Sequence, residues 1–242
     1  MNLLLLSNST QYGRGYLEHA LDTVTAFLPE GARLAFVPYA LADHDTYTAR
    51  VRAALEPAGI TVRGVHENAD PVAELTACDA VFIGGGNSFR LLSALYRTGL
   101  REAVTAAVRD GLPYMGASAG TNMAAPTLRT TNDMPIVQPP SFEALGLVPF
   151  QINPHYLDPD PASTHKGETR EERLTEFLEE NDVPVLGLRE GSWLRVEGDR
   201  ARVDGAHPAR LFTRGAQPRE LAAGSDVSPL LATTPRFDTP AR

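Results

Sequence analysis

Apolar runs of strand length alternate with amphipathic stretches along the first half of the chain. Residues 3–6 are four consecutive leucines, the pattern of a strand buried on both faces, closed by Ser7-Asn8-Ser9-Thr10. Residues 16–28 carry apolar side chains at helical spacing (Leu17, Ala20, Leu21, Val24, Phe27, Leu28) and stop at Pro29, which predicts a helix. A second strand is predicted over 33–39. Asp43 is placed as the N-cap of a helix reaching Leu55, with Pro57 and Gly59 closing it. A third strand over 60–65 and a brief helix opening at Asp70-Pro71 follow. A fourth strand over 79–83 runs straight into Gly84-Gly85-Gly86-Asn87. Two helices, about 88–96 and 100–110, precede a short apolar segment that leads into Gly116-Ala117-Ser118-Ala119-Gly120. This alternation predicts an α/β fold with a mostly parallel central sheet flanked by helices, ligands being taken at the carboxyl ends of its strands.

The texture then changes. Residues 127–140, rich in Thr, Asn and Pro, read as a surface loop. A strand over 150–153 leads to Pro154-His155-Tyr156, a polar segment over 158–168 precedes a charged helix over 169–180, and a strand over 183–188 ends in Arg189-Glu190-Gly191. Residues 193–196 and 200–203, joined through Gly198-Asp199, predict an antiparallel hairpin toward the C-terminus. With no repeat and no linker, the expected organisation is a single domain over 1–214. Residues 215–242, rich in Pro, Ala and Thr, form a partly irregular extension.

Composition narrows the classes. The 242 residues are 43% apolar and 21% charged, ordinary for a globular protein with a sizeable core. A net charge of −8 without any basic run argues against nucleic acid as a partner. The single cysteine, Cys78, precludes an internal disulfide, suits a reducing cytoplasm, and next to an apolar strand is expected to be buried and inert. The first apolar run lacks preceding basic residues and is too short for a signal or membrane helix, so no membrane partner is expected.

The candidate chemistry centres on Ser118. Gly-x-Ser-x-Gly between a strand and a helix is the pattern of a nucleophile elbow, in which small neighbours let a strained serine stand above the strand ends. The Ala119 N–H faces a helix start, and the Gly86 N–H can join it in an oxyanion hole. The glycine-rich loop lacks both G-x-G-x-x-G spacing and a Gly-Lys-Ser/Thr ending, which speaks against phosphate. A serine nucleophile needs a base and a third group orienting it. His155, emerging at a strand end after Asn153-Pro154, is preferred to His165 in its polar loop; His19, His44, His66 and His207 read as solvated surface residues. Glu190 fits the orienting acid, with Asp158 and Asp160 as rivals. No His/Cys cluster has metal-ligand spacing, so no metal is expected.

Six blocks carry a resemblance. Ile83–Asn87, 116–120, Arg129-Thr130-Thr131-Asn132-Asp133-Met134-Pro135-Ile136, Asn153-Pro154-His155, His165-Lys166-Gly167-Glu168-Thr169-Arg170 and Arg189-Glu190-Gly191-Ser192-Trp193 resemble, in order, the signature blocks of the peptidase E family, serine peptidase family S51. The resemblance spans roughly residues 1–210. It implies a cytoplasmic, cofactor-free enzyme acting on dipeptides with N-terminal aspartate, and a fold related to the class I glutamine amidotransferases. It also implies Ser118 as nucleophile, His155 as base, Glu190 as third member and Arg170 as partner of the substrate's aspartyl side chain. Asp133 and Asn87 fall by their blocks in the substrate-binding region. The order Ser, His, Glu differs from the Ser, acid, His order of α/β-hydrolases. The implied partner is a small acidic dipeptide and the implied assembly a monomer or homodimer. Cyanophycinases and hydrolases of other specificity belong to the same family, so the substrate stays open at this point.

Overall fold

The leucine run becomes β1 (Asn2–Leu6), whose four leucines are wholly buried. A computed structural model describes residues 1–239 apart from 163 and 165. Alternate leucines of β1 point to opposite faces, as the two-residue period of a strand requires, and each pair joins a different core. Leu3 and Leu5 pack with residues of α4 (Ser88–Arg97) and α5 (Leu100–Arg109), among them Leu91 and Val104. Leu4 and Leu6 pack with Val24 of α1 (Leu21–Phe27) and Val51 of α2 (His44–Leu55). Each such leucine contributes about 1.5–3 kcal/mol by leaving water, which is why this run dictates the middle of the fold.

Around β1 lie β2 (Arg33–Val37), β3 (Thr61–Gly64), β4 (Ala80–Ile83) and β5 (Tyr114–Ala117), with the short α3 (Pro71–Thr76) before β4. The hairpin strands β8 (Ser192–Glu197) and β9 (Arg200–Gly205) complete a seven-stranded sheet of order β3-β2-β4-β5-β1-β8-β9. The first five strands are mutually parallel, and the hairpin adds to the free edge of β1 antiparallel. The predicted hairpin is therefore an extension of the central sheet rather than an appendage.

A second sheet was not legible. β6 (Gln151–Pro154) and β7 (Val185–Leu188) run parallel to each other and pair with β10 (Ala209–Phe212) and β11 (Arg219–Leu221) in the order β11-β10-β7-β6. The segment from 215 supplies β11 and a 3-10 turn over Ser228–Ala232. Bridges from Asp226 to Arg202 and from Arg236 to Asp182 fasten it down. α6 (Ala119–Met123) touches both sheets, at β5 and at β6, the 127–140 loop is hydrogen-bonded to β6 and to the start of α4, and α7 (Arg170–Glu180) packs Leu174 and Leu178 against Val185 and Phe212. No described helix is long and apolar enough to cross a membrane.

The helix predicted over 16–28 begins later. Leu17 is buried with φ 59°, its N–H bonded to the Ser9 carbonyl, and a 3-10 turn over Glu18–Ala20 precedes α1. Burial of Leu17 under a returning loop overrides the helical spacing that includes it. Other local signals are realised directly. Asp43 accepts the Thr46 N–H, Asp70 caps α3, and Thr169 forms a capping box with Glu172 at the start of α7.

Candidate active site

Three carboxyl ends converge: β4 with its glycine loop, β5 with Ser118, and β1 with Ser7-Asn8. The chain turns from β5 into α6 at Ser118, whose φ of 53° and ψ of −112° are unusual for a side-chain-bearing residue. The Ser118 N–H donates to the Leu6 carbonyl at 3.1 Å, and the Ser118 carbonyl accepts the Asn122 N–H at 2.9 Å. Closeness at the turn depends on Gly120, where a β-carbon would overlap the Ile83 carbonyl oxygen. Gly120→Ala is expected to destabilise the protein at or above the upper end of the ~1–3 kcal/mol range for overpacking, because backbone rather than a flexible side chain must move. Chemical denaturation measures this; an unchanged midpoint would mean that the strand and helix can separate freely.

His155 follows β6 with φ 53°, also left-handed. Its Nε2 lies 2.9 Å from Ser118 Oγ and its Nδ1 2.7 Å from Glu190 Oε1, so the three side chains form one continuous hydrogen-bonded line. The rival acids are placed elsewhere. Asp158 makes a two-point pair with Arg189 at 2.7 Å, which holds its carboxyl below the ordinary range, while Arg189, also bonded to Glu220, is raised above its own. Asp160 accepts the Ala162 N–H. His165, the alternative base, lies outside the described residues.

The backbone donors of the glycine loop are distinguishable. Gly84 donates to the Val37 carbonyl, Gly85 to the Tyr47 hydroxyl at 2.8 Å and Asn87 to the Ala40 carbonyl at 3.0 Å. Burial pushes the Tyr47 hydroxyl up in pKa, so it stays a neutral acceptor. Among the described residues, the Gly86 and Ala119 N–H groups donate to no protein atom, and both residues line the cleft beside Ser118. Gly86 has φ 133° and lies against the Ala40 carbonyl, a backbone position that only glycine fills without strain.

The cleft holds about 760 Å³ and is lined among others by Ser118, His155, Glu190, Asp133, Arg170 and His207. Asp133 arrives on a loop tied to β6: Asn132 donates to the Pro154 carbonyl at 2.8 Å and Thr130 to the Ile152 carbonyl at 3.0 Å. One Asp133 oxygen accepts the Ser88 N–H at 2.7 Å, at the start of α4, where the helix dipole favours an anion. Asn87 departs from expectation. Its Oδ1 caps the Arg90 N–H, its Nδ2 donates to the Met134 carbonyl, and it does not line the cleft. With both ends of the amide engaged, Asn87 builds the loop rather than facing a ligand.

Arg170 is the first residue of α7, half-buried in the cleft wall, and makes no ion pair among the described residues. Its acidic neighbours are committed elsewhere: Glu171 to Arg210, Glu172 to the Thr169 capping box and Glu168 to Arg173. Burial and the nearby Arg173 pull the Arg170 pKa down, with Asp133 opposing. His207 is exposed, as a surface histidine is expected to be, but it also lines the cleft, which the sequence did not indicate; His66, expected to be solvated, instead has a mostly buried ring with Nε2 on Asp45. A single histidine between Ala206 and Pro208 offers no periodic pattern from which its placement could be read.

A family model, that of peptidase family S51, matches residues 3–203, which is most of the chain and includes the Ser118, His155 and Glu190 line. The chain belongs to peptidase family S51. It is 82% identical over 242 residues to a protein named Peptidase E from Streptomyces coelicolor, covering the whole of both chains. It is 52% identical over 233 residues to a Drosophila melanogaster protein named probable alpha-aspartyl dipeptidase, covering 95% of this chain and 97% of that one. The crystal structure of a peptidase from an acI-B1 Actinobacterium superposes with a TM-score of 0.68 over 93% of this chain and 96% of its own. At 16% identity this shows a shared fold alone.

Proposed function

We propose that this S51 chain is a serine dipeptidase that cleaves dipeptides after an N-terminal aspartate through an aspartyl-enzyme. The observation that carries the reading is the Ser118–His155–Glu190 hydrogen-bonded line opening onto a cleft in which Arg170 has no carboxylate partner among the described residues. His155 Nε2 accepts the Ser118 proton as Oγ attacks the peptide carbonyl carbon. The Gly86 and Ala119 N–H groups hold the oxygen that becomes negative. His155 returns the proton to the leaving amine, the C–N bond breaks, and water activated by the same nitrogen releases aspartate.

Arg170 would hold the aspartyl side chain, and Asp133 is the cleft carboxylate left for the substrate's α-ammonium, since Asp158 belongs to Arg189 and Glu190 to His155. An overall charge of −8 repels an acidic dipeptide at long range, so a local cation is needed to retain it. The names borne by the relatives support the aspartyl specificity. The same reading places the protein in the cytoplasm, in keeping with its one buried cysteine. Measuring kcat/KM for dipeptides that differ only in the first residue tests the proposal, and a preference for uncharged first residues would refute it.

Glu190→Gln is expected to lower kcat roughly 10- to 100-fold, less than for a deeply buried triad acid, because the Glu190 side chain is 56% exposed and water screens its charge. Asp158→Asn should spare kcat, since Asp158 serves Arg189. The opposite ranking would move the third member of the line to Asp158.

A further inference from the structure

The Ser118, His155 and Glu190 side chains come from three strand ends in two sheets, and nothing in strand pairing alone sets one sheet's ends against the other's. What joins them is the tripeptide Leu6-Ser7-Asn8 at the carboxyl end of β1. The Leu6 carbonyl accepts both the Ser118 N–H at 3.1 Å and the Thr121 hydroxyl at 2.6 Å. Ser7 Oγ accepts the His155 N–H at 2.9 Å and donates to the Leu188 carbonyl, at the end of β7, at 2.8 Å. Asn8 Oδ1 accepts the N–H of Gly191, the residue after Glu190, at 2.8 Å, while its Nδ2 donates to the Thr10 carbonyl and fixes the amide's orientation. Ser7 and Asn8 are fully buried, so water cannot substitute for these partners.

We propose that Leu6-Ser7-Asn8 is a clamp that sets the register of all three triad members, and that Ser7 is the positioning residue through which His155 is held on Ser118. The inference rests on the triad reading above. His155 occupies a left-handed conformation that a residue with a β-carbon keeps only when its surroundings hold it. The Ser7 hydroxyl is what holds it. Its proton is directed to Leu188, which leaves a lone pair facing the His155 N–H. Removing that oxygen leaves a buried N–H without an acceptor, and the backbone can recover one only by rotating, which carries the imidazole away from Ser118. Ser7 touches neither substrate nor reacting atoms, so its influence must pass through the position of His155.

The test compares Ser7→Ala with wild type for an aspartyl dipeptide and for inactivation of Ser118 by a fluorophosphonate. The expected result is a kcat about 100-fold lower with KM within about threefold, and an inactivation rate that falls in parallel, the signature of a displaced base. In a His155→Ala background, Ser7→Ala should cost less than about twofold more, because the imidazole through which it acts is gone. If Ser7→Ala fails to fold, the isosteric pair Ser7→Thr and Ser7→Val carries the same comparison, with threonine at least about tenfold more active. A Ser7→Ala kcat near wild type, an additive loss in the His155→Ala background, or equal activity of the Thr and Val variants would overturn the clamp while leaving the triad standing. Retained activity in Ser118→Ala would instead remove the triad reading on which the clamp depends.

Discussion

Ser118→Ala is expected to be a folded protein that binds substrate and turns essentially none of it over, with kcat reduced on the order of 10⁶-fold. The size follows from the arrangement: Ser118 Oγ is the atom that His155 Nε2 faces at 2.9 Å, beneath two backbone donors with no other use among the described residues. Removing the nucleophile leaves base, oxyanion donors and Arg170 in place with nothing to acylate. The fold should survive because the hydroxyl's one hydrogen bond among the described residues is to His155, and alanine occupies the same φ of 53° at no more strain than serine. Calorimetry should find dipeptide affinity close to the wild-type KM range, while a fluorophosphonate should no longer attach. Turnover within about tenfold of wild type would be incompatible with serine catalysis, since a lost nucleophile costs several orders of magnitude.

How far the sequence could be read follows from what each signal reports. Apolar runs and caps are local, so β1, β2, β4, α2 and the elbow fall where the pattern predicts them. The same runs say that β6 and β7 are buried but not beside which strands, and so the second sheet was invisible. β11, Arg-Glu-Leu, has no period at all and takes its register from β10. Nearness in sequence is a poor guide to the orienting acid: the rival Asp158 is three residues from His155 yet bonds Arg189, while Glu190, preferred for its place at a strand end, reaches the imidazole from the end of another strand. Ser7-Asn8 read as punctuation after a strand. Their roles come from hydrogen bonds to residues 148 and 183 positions away, which no window along the chain contains. Asn87, placed by its motif at the substrate, instead has its amide engaged within the loop.

Arg170→Ala is the second large effect expected, and it separates specificity from catalysis. An arginine in the run Arg170-Glu171-Glu172-Arg173 would ordinarily be a solvated cation paired along the helix, contributing little. Here the neighbouring carboxylates are committed to Arg210, the capping box and Arg173, and Arg170 turns into the cleft wall half-buried, with desolvation lowering its pKa. A guanidinium stays charged under such a shift, so it is a cation without a carboxylate among the described residues, and a ligand carboxylate would relieve that deficit. Losing it should cost Asp-Leu roughly 2–5 kcal/mol in kcat/KM, as truncating one side of a desolvated charge pair does. Ala-Leu should lose far less, and Asn-Leu should be a poor substrate of wild type despite its matching shape, because it offers no charge to the site. Arg170→Lys should restore only part of the loss, since ammonium cannot form the two-point pair. The melting temperature should hold or rise in Arg170→Ala, because an unpaired, partly desolvated charge does not stabilise the fold. Equal losses on all three dipeptides together with a lower melting temperature would make Arg170 a structural residue, and the aspartyl specificity would then need another cation.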